Sequence, residues 1–78
     1  MLFREVLGAQ LRLHRSQQGL TLRQLSAQSN VALGYLSEIE RGIKEPSSEL
    51  ISAICKALDV PTSIIVHQCA ESLAQEEN

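Results

Sequence analysis

The stretch Gly19-Leu20-Thr21-Leu22-Arg23-Gln24-Leu25-Ser26-Ala27-Gln28-Ser29-Asn30-Val31-Ala32-Leu33-Gly34-Tyr35-Leu36-Ser37-Glu38-Ile39-Glu40-Arg41-Gly42 decides the fold. It contains two short segments of helical period, one with Leu22 and Leu25 inward and one with Leu36 and Ile39 inward beside Val31. Thr21 is a good N-cap for the first, because its hydroxyl can accept from a first-turn amide. Asn30 tolerates the left-handed conformation that a tight turn needs. Only Asn30, Val31 and Ala32 separate the two segments. So short a link cannot lay two helices side by side, and it forces a sharp crossing of about 90–120°. A close crossing needs a small residue at the contact, which Ser26 supplies, and an apolar plug after the turn, which Val31 supplies.

That pair is a helix-turn-helix unit, and punctuation places three further helices around it. The first runs from about Phe3 to Gln18, with Phe3, Leu7 and Leu11 on one face, and ends before Gly19 as a C-cap. Ser47 is the best N-cap for the fourth, whose stripe is Ile51, Ile54, Cys55 and Leu58; Glu49 in its first turn suits the helix dipole. Asp59-Val60-Pro61 is a short break, and the fifth runs from about Thr62 to Ala74, with Gln75 to Asn78 expected to fray. No stretch alternates as a half-buried strand would, so the expected class is all-α, one five-helix domain over residues 1–78.

A chain of 78 residues buries only about 60% of its unfolded surface, which makes a second copy attractive as an extension of the core. Hydrophobic residues are 44% and aromatics only Phe3 and Tyr35, so Leu, Ile, Val and Ala build the interior. No apolar run reaches membrane-spanning length and no basic segment leads into an apolar one near Met1; the expectation is a soluble cytoplasmic protein. Net charge is −2, unevenly spread. Residues 1–48 carry six cations (Arg4, Arg12, Arg15, Arg23, Arg41, Lys44) and four anions, whereas residues 49–78 carry Lys56 against five anions. A polyanionic partner would approach the first half.

Cys55 and Cys69, 14 apart, have no His at zinc spacing and read as buried reduced thiols; neither metal nor cofactor is expected. No nucleophile–base pair, carboxylate pair or glycine-rich phosphate loop suggests an enzyme. His14 continues the inward face of the first helix and reads as a packed, hydrogen-bonded histidine, with His67 at the surface. On the fifth helix Val66, Cys69, Ala70 and Leu73 lie at spacings of three and four. The stripe reads as a homodimer surface, with extra intramolecular core as the alternative. On the dimer reading, Leu73→Asp should give a folded monomer.

The runs Gly19 to Ser26 and Asn30 to Gly42, followed by Pro46-Ser47, resemble the Cro/C1-type (XRE) helix-turn-helix family, whose fold is that of lambda repressor. The likeness spans Leu7 to Ile65. The run 34–58, GYLSEIERGIKEPSSELISAICKAL, is similar to the Clp-protease gene regulators of actinobacteria. Ser26, Asn30 and Ala32 depart from the usual Ala, Gly and Ser or Thr; losing the cap at Ala32 costs about 1 kcal/mol. The resemblance implies double-stranded DNA as partner, with the third helix in the major groove. Leu33, Gly34, Ser37 and Glu38 would then meet base edges: Leu33 suits a thymine methyl, Gly34 permits close approach, and Glu38 can accept from cytosine N4. Thr21, Arg23, Tyr35, Arg41, Lys44 and Ser47 would meet the backbone. Without the resemblance, a solvated helix face would be the simpler reading. Arg15 and Glu40 match a structural ion pair between the first and third helices, and Ile64 and Ile65 match inward positions.

So few phosphate contacts bind weakly in one copy, and two copies double them. The expected protein is therefore a homodimeric regulator on a pseudo-palindromic operator, with half-sites about 34 Å apart. The narrower likeness implies an activator of Clp-protease and related proteostasis genes, itself subject to a protease or another protein regulator. The alternative is a helix-turn-helix protein acting mainly through a protein partner, as antitoxins and antirepressors do. RNA binding lacks the aromatic platforms that stack bases.

Overall fold

A computed structural model describes residues 1–78. It contains α1 (Phe3–Gln17), α2 (Leu22–Ser29), α3 (Leu33–Glu40), α4 (Ser48–Ala57) and α5 (Thr62–Glu77), with no strand. The turn chemistry works as its residues dictate. Thr21 Oγ1 accepts from the Gln24 amide at 3.0 Å, and Gln24 Oε1 accepts in return from the Thr21 amide at 2.8 Å, a complete capping box. Ser47 Oγ accepts from the Leu50 amide at 3.2 Å. Asn30 takes the left-handed conformation at φ 59°.

Three helices end in one motif. The residue past the cap adopts positive φ (Gly19 70°, Gly42 75°, Asp59 55°), and the amide after it reaches back five residues to a carbonyl. Asp59 does this without being glycine, as short polar side chains can.

The core draws on every helix: Val6, Leu7 and Leu11 of α1, Leu25 of α2, Leu36 and Ile39 of α3, Ile54 and Cys55 of α4, Ile65 and Cys69 of α5, with Val31 and Leu58 from the connections. α1 packs on α3 and α5, α2 on α3 and α4, and α4 on α5. His14 is half-buried, its Nε2 2.8 Å from Gln68 Oε1, so it bridges α1 and α5 as expected of a packed histidine. Both thiols are free and buried. Burial pushes the Cys55 thiol up, opposed by a hydrogen bond with Thr62; burial, then the neighbouring Cys55, pushes Cys69 up. Thiols held protonated are poor nucleophiles. No single helix is long and apolar enough to cross a membrane.

Four expectations need correction. α5 continues to Glu77, because Ala74-Gln75-Glu76-Glu77 is a run of strong helix formers. Phe3 lies at the exposed edge of its face, and Val6 takes the inward place instead. Ile64 is 44% exposed rather than inward. Cys69 is fully buried, so it is no part of an outer surface: four residues after Ile65, it lies over the same core.

Candidate nucleic-acid interface

The α3 backbone is positioned by contacts from the sequence on both sides of it. Before α3, Ser26 Oγ donates to the Val31 carbonyl oxygen at 2.5 Å, so the small residue at the crossing also satisfies a turn carbonyl. Val31 is buried as the plug. The N-cap position itself, Ala32, offers no side-chain bond to the first amides of α3. At its last turn, α3 is held by α1. Arg15 Nε and Nη2 donate to Glu40 Oε2 and Oε1 at 2.7 and 2.9 Å, a forked pair. Arg15 Nη1 also donates to the Leu20 carbonyl oxygen at 2.9 Å. The side chains are 16% and 5% exposed. The hydrogen bond to Glu40 raises the Arg15 pKa further, against the opposing effect of burial, so the guanidinium stays charged.

Gly8 allows the contact. A Cβ there would strike the Ile39 carbonyl oxygen and lie 2.8 Å from that of Glu40. A glycine inside a helical pattern is a legible sign of close backbone approach. So is Thr-x-x-Gln for the capping box. Gly8 and Gln24 thus carry signals that lie outside the expectations drawn from the sequence.

With Leu36 and Ile39 committed to the core, the opposite side of α3 is left outward. Gly34 is exposed, and nothing lies within 4 Å of where its Cβ would be. Tyr35 and Arg41 are exposed, while Leu33, Ser37 and Glu38 are half-buried. Gly34, Ser37, Glu38 and Arg41 share one face by helical spacing. Arg23 and Lys44 are exposed on α2 and on the loop after α3. Thr21 and Ser47 use their oxygens as cap acceptors, which leaves each hydroxyl hydrogen free to donate outward at a helix N-terminus. On α5 the remaining stripe holds Val66 at 46% exposure, exposed Ala70 and half-buried Leu73. Leu73 packs against the core, so a charge there would threaten the fold itself.

A helix-turn-helix family model matches residues 9–65. The transcriptional regulator ClgR of Mycobacterium tuberculosis strain H37Rv is 57% identical over 76 residues, covering 97% of this chain and 68% of that protein. The crystal structure of the clp gene regulator ClgR from Corynebacterium glutamicum superposes with a TM-score of 0.92 at 47% identity, over 99% of this chain and 82% of the other. The restriction-modification controller protein C.Esp1396I, solved as a tetramer with its natural 35-base-pair operator, shares the fold at 21% identity and a TM-score of 0.83, over 91% of this chain and 93% of that one. The crossing built on Ser26 and Val31, the Arg15–Glu40 fork and these likenesses agree: the chain belongs to the Cro/C1-type helix-turn-helix family and is a DNA-binding transcriptional regulator.

Proposed function

We propose that the chain acts as a homodimer on a pseudo-palindromic operator, reading it with the outward face of α3. The observation that carries this is the division of α3: Leu36 and Ile39 are spent on the core, and the opposite face carries Gly34 with open space above it. Leu33, Gly34, Ser37 and Glu38 meet base edges there. Thr21, Arg23, Tyr35, Arg41, Lys44 and Ser47 hold the sugar–phosphate backbone, three of them as cations and two as caps at helix N-termini. Val66, Ala70 and the outer edge of Leu73 form the surface between the two copies. The likeness to the ClgR proteins supports Clp-protease and related proteostasis genes as targets, activation as the outcome and the cytoplasm as the site of action. It also fits control by a protease or another protein regulator.

Selection of bound sequences from a random duplex pool tests the reading. It should return two inverted half-sites about one helical turn apart, with log K falling linearly as log salt rises. A pool that stays random, with no salt dependence, would support the protein-partner alternative instead. For the dimer, Val66→Asp replaces Leu73→Asp as the cleaner variant, because Val66 is exposed. It should sediment as a folded monomer; a persisting dimer places the contact elsewhere.

A further inference from the structure

We propose that Arg4, in the first turn of α1, is a positioning residue for DNA binding: it orients the peptide leaving α3, and with it Lys44, without touching the duplex. This rests on the placement of Lys44 at the backbone. Arg4 Nε donates to the Gly42 carbonyl oxygen at 3.2 Å, across 38 positions of sequence. The other end of the same peptide unit, the Ile43 amide, donates to the Glu38 carbonyl oxygen at 2.9 Å. One peptide plane is therefore pinned at both ends, to α1 on one side and to α3 on the other.

Gly42 is buried at φ 75°, and a Cβ there would lie 2.9 Å from Glu5 Cα, so the chain is also held against the α1 backbone. Arg4 is half-buried and makes no ion pair, and the neighbouring Glu5 carboxylate is occupied by the Leu2 amide at 2.7 Å. The guanidinium is thus free for the carbonyl. Without it, the peptide keeps only its amide bond. Glycine resists rotation at that joint less than any other residue. Lys44, exposed and next in line, has only a long bond of its own, from its amide to the same Glu38 carbonyl oxygen at 3.4 Å, so its direction follows that of the peptide before it.

The test compares wild type, Arg4→Met, Lys44→Gln and the double variant on the tightest duplex recovered from the random pool, at several salt concentrations. Thermal unfolding and amide exchange of Ile43 and Leu36 accompany the titrations. Arg4→Met should weaken binding about five-fold, the scale of one charged hydrogen bond shared with water, with the salt slope unchanged. The Ile43 amide should exchange faster while Leu36 stays protected. Lys44→Gln should reduce the salt slope by about one, and adding Arg4→Met to it should cost little more. If Arg4→Met itself lowers the slope by about one and adds fully to Lys44→Gln, Arg4 is a phosphate contact and the proposal fails. Unchanged affinity in Arg4→Met, with Lys44→Gln weakened, overturns the role of Arg4 alone. Unchanged affinity and slope in Lys44→Gln removes the loop from the DNA and takes the proposal with it.

Discussion

Gly8 inside α1 and Gly34 in the first turn of α3 face opposite sides of α3, and a glycine in mid-helix, as Gly8 is, costs about 0.5–1 kcal/mol relative to alanine. At the seam between α1 and α3, Gly8 is surrounded: the carbonyls of Ile39 and Glu40 stand where a Cβ would go. On the outward face of α3, Gly34 has nothing within 4 Å. The first glycine is explained inside the chain. The second has no intramolecular reason, and on the proposed reading its open space admits the duplex. A helix that reads a groove needs both conditions, a fixed back and an uncluttered front. The cations divide the same way. Arg15 is consumed by Glu40 and Leu20 at the seam, whereas Arg23, Arg41 and Lys44 stay exposed.

The largest way to break this contrast is at the ion pair. Glu40→Ala leaves Arg15 charged and largely buried, and should lower unfolding free energy by about 3 kcal/mol in urea titration. A loss under about 1 kcal/mol would mean the seam is not what fixes α3. Next comes Gly8→Ala. Its methyl meets backbone rather than a yielding side-chain tip, so a loss of about 2 kcal/mol is expected despite the better helix propensity. Gly34→Ala should do the opposite: stability rises by up to about 1 kcal/mol while operator affinity falls. If affinity holds at Gly34→Ala, the front of α3 is not in close contact with DNA. The smallest effect sharpens the contrast at the front end of α3. Ala32→Ser supplies the missing cap and should add about 1 kcal/mol, read as slower amide exchange in the first turn.

How much of this was legible follows the range of each interaction. The crossing of α2 and α3 was, because Thr21, Ser26, Asn30 and Val31 act within a dozen residues. The Arg15–Glu40 pair came through family likeness, since nothing in its 25-residue spacing announces it. On α5 the period of three and four put Val66, Cys69, Ala70 and Leu73 on one stripe. It did not say that Cys69 lies on the inner side of that stripe.

The chain's own order of residues fixed what is short-ranged: five helices, their caps, the tight turn, and which side chains share a face. Helical period and capping are local geometry, so local sequence suffices for them. Tertiary structure alone decided which edge of each face is covered, turning Ile64 out and Cys69 in. It alone also brought Gly8 against the end of α3 and Arg4 to the carbonyl of Gly42. Those outcomes depend on where a distant helix comes to rest, and burial is settled by the neighbour that arrives, a quantity no spacing within one helix contains.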